Sequence, residues 1–126
     1  MTVNNMKLLK SLTLIIGITV AGITLAVPSK SPDLTPAQGL TVCAAVYADL
    51  SQYGSTDSQR ILRIRSLQIQ EVAKKYNPNV SEDVLQAMKT GSVIVAQGDN
   101  DSLLYLDMIK NAEEVCRTQY LPQFGL

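Results

Sequence analysis

The chain predicts an all-α fold: a small bundle or array of about four helices, stapled by one disulfide, behind an N-terminal signal peptide. Three observations carry that expectation. Apolar residues recur at helical spacings of three and four, and capping residues, glycines and prolines bound the segments they form. The β-branched run Val93-Ile94-Val95 lies in a six-residue stretch that would have no partner strand. Two cysteines, Cys43 and Cys116, sit near opposite ends of the chain that follows the leader.

Residues 1–26 open with Lys7 and Lys10, continue as an uncharged apolar run from Ser11 to Ala26, and end in small residues before Val27-Pro28. That layout reads as an export signal, with Thr24 and Ala26 at the positions a signal peptidase inspects. The run is long for a signal-peptide core and short for a membrane span, which favours cleavage after Ala26 over a retained anchor. Lys7 and Lys10 leave with the leader, so a chain with eleven basic and eleven acidic side chains becomes slightly acidic, net about −2. A nucleic-acid binder would normally be strongly basic. About one hundred residues remain, enough for a single domain with one core.

In an oxidising compartment Cys43 and Cys116 read as a disulfide. In the chain-entropy view a loop of this length stabilises the fold by about 4.4 kcal/mol. A zinc site is a poorer reading still, because the chain has no histidine and two cysteines cannot fill four positions.

Residues 27–34, with two prolines and polar neighbours, read as a flexible linker, and an all-helical domain is expected over 35–126. Thr35-Pro36-Ala37-Gln38 supplies an N-cap, a proline in the first turn and a capping-box glutamine. The first helix should run to about Tyr53 and stop at Gly54. Leu40, Cys43, Tyr47 and Leu50 then form a buried stripe that includes the cysteine. Ser55-Thr56-Asp57 caps a second helix, in which Ile61, Leu62, Ile64, Leu67, Val72 and Tyr76 keep helical spacing until Asn77-Pro78.

Ser81-Glu82-Asp83 starts a third helix, with acids in the turn where the dipole favours them. Val84, Leu85 and Met88 form its apolar face up to Thr90-Gly91. Residues 92–97 read as a helical turn or a short buried segment. Gly98-Asp99-Asn100-Asp101-Ser102 caps a last helix from about Asp101 to Tyr120, where Tyr105, Ile109, Ala112 and Cys116 share one face. Leu121-Pro122 ends it and leaves a short tail.

With no histidine, the commonest general acid and base and every Ser-His or Cys-His arrangement are absent, which argues against a hydrolase. No cofactor or metal site is expected. Asp99 and Asp101 resemble the opening of an EF-hand loop, but Leu103 stands where a third ligand belongs, no glycine follows and the closing acid is missing. Helix capping accounts for them better. Glu113 and Glu114 read as a solvated face, since adjacent helical residues diverge by about 100°. Tyr47, Tyr53, Tyr76, Tyr105 and Tyr120 read mostly as core residues with the hydroxyl at the surface. Tyr53 and Tyr76 lie near helix ends, where an interface could use them. Arg60, Arg63 and Arg65, followed by Lys74 and Lys75, make the second helix locally basic. Arginine forks suit carboxylates and phosphates, so this helix is the expected partner-binding surface; a solvated face with local ion pairs is the alternative.

The order of landmarks carries a resemblance. An early helix bears Cys43, a long polar helix ends in Ala73-Lys74-Lys75-Tyr76-Asn77-Pro78, Val84-Leu85-Gln86-Ala87-Met88-Lys89-Thr90-Gly91 follows, and a tyrosine-bearing helix returns Cys116. From about Cys43 to Tyr120 this resembles the small exported spackle-type proteins of tailed phages, although the final segment here is longer. The resemblance implies superinfection exclusion: binding and blocking a cell-wall lysozyme in the periplasm. No residue-level site is carried over from it. The expected function is thus an exported, non-enzymatic interaction protein whose protein partner is a muralytic enzyme, in superinfection exclusion or immunity. The alternatives are an acid-stress chaperone of the HdeA kind, which would unfold as its carboxylates protonate, and a membrane-tethered structural protein that keeps its leader.

Overall fold

The computed structural model describes residues 34–126, so the leader at 1–26 and nearly all of the linker at 27–34 lie outside the described residues. Among the described residues there are four α-helices and no strand: α1 Pro36–Leu50, α2 Thr56–Ala73, α3 Val80–Ala96 and α4 Asn100–Val115. A π turn, Cys116–Tyr120, and a 3-10 turn, Leu121–Phe124, follow.

The capping box at the start of α1 forms as its residue types dictate. Thr35 Oγ1 accepts from the Gln38 N–H at 3.2 Å, and Gln38 Oε1 accepts from the Thr35 N–H at 3.0 Å. The helix itself departs from the expected single stripe, because every residue from Gly39 to Asp49 is buried. Ala44, Ala45 and Ala48 give it a thin profile that neighbouring backbones can approach, and α2, α3, α4 and both closing turns pack around it. α1 is therefore the axis of the domain. Cys43 on this axis is joined to Cys116 with the Cα atoms 5.7 Å apart, a covalent link across 73 positions of sequence. One turn earlier, a Cβ on Gly39 would come within 2.4 Å of the Tyr120 ring, so only glycine lets the π turn lie this close to α1.

Ser55 caps α2 by accepting from the Ser58 N–H at 3.2 Å. The face this helix buries differs from the one its apolar spacing suggested. Ile61, Ile64 and Leu67 are more than half exposed, as is Tyr76, whereas Ser66, Ile69, Gln70 and Ala73 are buried. Small and hydrogen-bonded side chains fit against the alanine face of α1. Ser66 Oγ donates to the Ala44 carbonyl at 2.8 Å, Gln70 Nε2 donates to Ser66 Oγ at 3.1 Å, and Ser81 Oγ donates to Gln70 Oε1 at 3.2 Å. That chain of bonds ties α1, α2 and α3 together and satisfies groups that would be costly to bury alone.

α3 also corrects an expectation, since it runs through Thr90-Gly91 without a break to Ala96. The β-branched residues 93–95 lie within its last two turns. Its first turn holds Glu82 and Asp83, and Asn77 in the preceding turn donates to Asp83 Oδ2 at 2.9 Å. Asp99 caps α4 in a box with Ser102, the capping role expected of it. Tyr105, Ile109, Ala112 and Cys116 all point inward. Beyond α4 the chain forms no loose tail: Leu121 is wholly buried and Phe124 packs edge-on against Tyr76 at 6.0 Å between ring centres.

Candidate interaction surface

The partner-binding residues expected on α2 do not form one patch. At about 100° per residue, Arg60 lies near the middle of the outward face, Arg63 on one flank and Arg65 beyond the opposite flank. Arg60 and Arg63 are exposed. Arg65 is half-buried, and its guanidinium donates to the Leu126 main-chain oxygen at 2.6 Å. Between these arginines stand Ile61, Ile64 and Leu67, 63, 51 and 55 % exposed. The arginines therefore frame an apolar ridge.

Two depressions border the ridge. On the Arg63 side a groove of about 310 Å³ runs between α2 and α3, walled by Leu67, Val84, Leu85 and Met88 and floored by Ala48. On the Arg65 side a cleft of about 460 Å³ separates Ile61 and Ile64 from Glu113 and Arg117, with Tyr47 at its base. The Tyr47 hydroxyl donates to Glu113 Oε2, and Arg117 Nε donates to the same oxygen at 3.2 Å. Burial, and then the adjacent Glu113 carboxylate, pushes the Tyr47 phenol up to about 12. Glu113 is thus a structural acceptor joining α1 to α4, which corrects its reading as part of a solvated face; Glu114 is the exposed member of that pair.

The group that residue-by-residue reading missed is Asp49, the only charged residue in α1. It is wholly buried. Its carboxylate accepts from the Tyr105 hydroxyl, from the Tyr53 hydroxyl at 3.1 Å and from Gln52 Nε2 at 3.0 Å. The Tyr105 hydroxyl therefore faces inward, not to the surface as expected. α3 approaches so closely that a Cβ on Gly91 would lie 2.3 Å from Asp49 Oδ2, which explains why glycine stands inside an unbroken helix. A lone acid in an otherwise uncharged apolar helix was the available signal.

Desolvation raises the Asp49 carboxyl above its ordinary value, while hydrogen bonds from Tyr105, Tyr53 and Gln52 partly oppose the shift. A carboxyl raised on folding makes the folded state bind more protons than the unfolded state in the window between the two values. Stability from this group is accordingly present below the ordinary carboxylate range and declines as pH rises through the raised value. Asp49→Asn keeps the shape and lets the Tyr105 hydroxyl turn to accept. We expect the stability difference between Asp49→Asn and the parent, read from urea midpoints, to favour the variant more at neutral pH than near the ordinary carboxylate range. A pH-independent difference would show that Asp49 titrates normally.

No stretch among the described residues is long and apolar enough to cross a membrane, and a disulfide belongs to the chemistry of oxidising compartments. No protein-family profile, curated protein or solved structure matches the chain.

Proposed function

We propose that this protein is an exported inhibitor that docks the α2 ridge into the substrate cleft of a cell-wall-degrading enzyme. The observation that carries the reading is the ridge itself: Ile61, Ile64 and Leu67 stand exposed on a helix packed against the disulfide-bonded axis α1, with Arg60 among them and Arg63 on their flank. Arginine is enriched among interface hot spots, and the aliphatic side chains beside it supply apolar area to bury. Glycoside hydrolases place a pair of carboxyl groups in the cleft that holds the sugar chain, and a guanidinium fork pairs with such groups. An apolar ridge bearing arginines offers a projecting surface and positive charge to such a cleft, and the spackle-type resemblance points to the same partner class.

The direction of the Asp49 shift does not favour an acid-unfolding chaperone. Protonating Asp49 favours the folded state, so this buried group opposes acid-triggered release of apolar surface.

The test is lysis of purified cell walls by muralytic enzymes at neutral pH, titrated with the oxidised protein. Stoichiometric inhibition of one of them is expected. Arg60→Glu/Arg63→Glu should raise the dissociation constant by about thirtyfold or more, the effect of losing one interface hot spot. An unaltered affinity would remove the ridge from the interface, and failure to inhibit any such enzyme would remove the reading.

A further inference from the structure

The outward face of α2 has a pattern that an enzyme-docking ridge does not require. Asp57, Arg60, Ile64, Leu67, Glu71 and Lys74 are all exposed and recur at spacings of three, four, three, four and three. This is the a/d spacing of a coiled-coil seam, here on the solvent side of the helix. At about 100° per residue these six positions fall within a stripe roughly 100° wide.

Read along the helix, the seam is acid, base, apolar, apolar, acid, base. Read in reverse it is base, acid, apolar, apolar, base, acid. Two copies laid antiparallel about a twofold axis between Arg65 and Ser66 would set Asp57 against Lys74, Arg60 against Glu71 and Ile64 against Leu67, each layer occurring twice. Every layer is complementary. A parallel pairing in register would instead place like charges opposite one another at four of the six layers.

We propose that α2 is the interface of an antiparallel, twofold-symmetric homodimer of this chain. The face is self-complementary, the property that an isologous interface demands. Among the described residues of one molecule, the ion pair at the outer ends of the seam is the exposed Glu71–Lys74 pair at 3.0 Å, and pairs of that kind are worth little and are readily exchanged. The helix has 18 residues and is ~27 Å long, so one helix pair buries an area at the low end of specific interfaces, below about 1,200 Å². The dimer is therefore a transient one that dissociates on dilution. It covers Arg60, Ile64 and Leu67, and so competes with any partner that uses the ridge. The inference rests on the seam and not on the identity of that partner.

Sedimentation velocity of the exported, oxidised protein, alone and over a wide range of concentrations at low ionic strength, tests it. The average mass should rise with concentration from one chain towards two. Arg60→Glu places acids opposite acids in two layers and should weaken self-association by at least about tenfold. Arg60→Glu/Glu71→Arg restores opposite charges only in the antiparallel register and should recover the parental constant. The independent swap Asp57→Lys/Lys74→Asp should likewise associate, whereas Lys74→Asp alone should not. These side chains are exposed, so helix content by circular dichroism is expected to be unchanged and serves as the folding control. A chain that stays monomeric throughout, or a dimer indifferent to these substitutions, overturns the proposal. Because no enzyme is present, that outcome is distinct from a failure of the inhibitor reading.

Discussion

Replacing both Cys43 and Cys116 with serine is expected to lower the free energy of unfolding by about 4 kcal/mol. The bridge closes a loop of 73 positions, and the chain-entropy cost of such a loop is about 4.4 kcal/mol. A small domain has ~5 to 10 kcal/mol in total, so the serine variant should be close to unfolding at ambient temperature. The location adds to the effect. Cys43 lies on the buried axis α1, and Cys116 begins the turn that brings Tyr120 against Gly39 and inserts Leu121 into the core. Urea unfolding of the oxidised parent and the variant checks this. A loss below about 1 kcal/mol would mean that helix packing alone holds α4 and its closing turns on α1.

Gly91→Ala is expected to destabilise by about 3 kcal/mol, at the upper end for adding one methyl group to a packed interior. In an exposed helix the same change would be stabilising, because alanine is the better helix former. Here the new methyl would stand 2.3 Å from one carboxylate oxygen of Asp49 and 2.4 Å from the other. The carboxylate cannot move aside without giving up the hydroxyls of Tyr105 and Tyr53 and the amide of Gln52. The Tyr105 hydroxyl would then be buried without a partner, at a cost of about 1 to 3 kcal/mol. A double-mutant cycle isolates the cause. Asp49→Ala opens space where the Gly91→Ala methyl would go, so the two substitutions together should cost clearly less than the sum of the separate losses. Strict additivity would place the clash elsewhere.

Much of the fold was legible in the chain because its signals are local. Thr35 with Gln38, Ser55 and Asp99 each satisfy exposed backbone groups within their own helical turn, so the residue types alone mark where α1, α2 and α4 begin. Cys43 and Cys116 were readable as a pair because each falls on an inward face of its own helix. The α2 surface was legible as an arginine-bearing helix but not in its orientation. Ile61, Ile64 and Leu67 are the residues that transfer energies would bury, and they are the ones left outside. The inner face went to Ser66, Ile69, Gln70 and Ala73, because the surface facing them is the alanine side of α1, where Ser66 donates to the Ala44 carbonyl.

Alone, then, the sequence determined the class of fold, the starts of α1, α2 and α4 and the pairing of the two cysteines, since caps and periodic spacing act over a few residues. Only the tertiary structure decided which face of α2 meets solvent, why Gly91 continues a helix that it was expected to end, and that Asp49 is enclosed by two tyrosines. Each of these depends on how closely another helix approaches, a distance set by the side chains of both partners, and a single strand of residues read in order does not contain it.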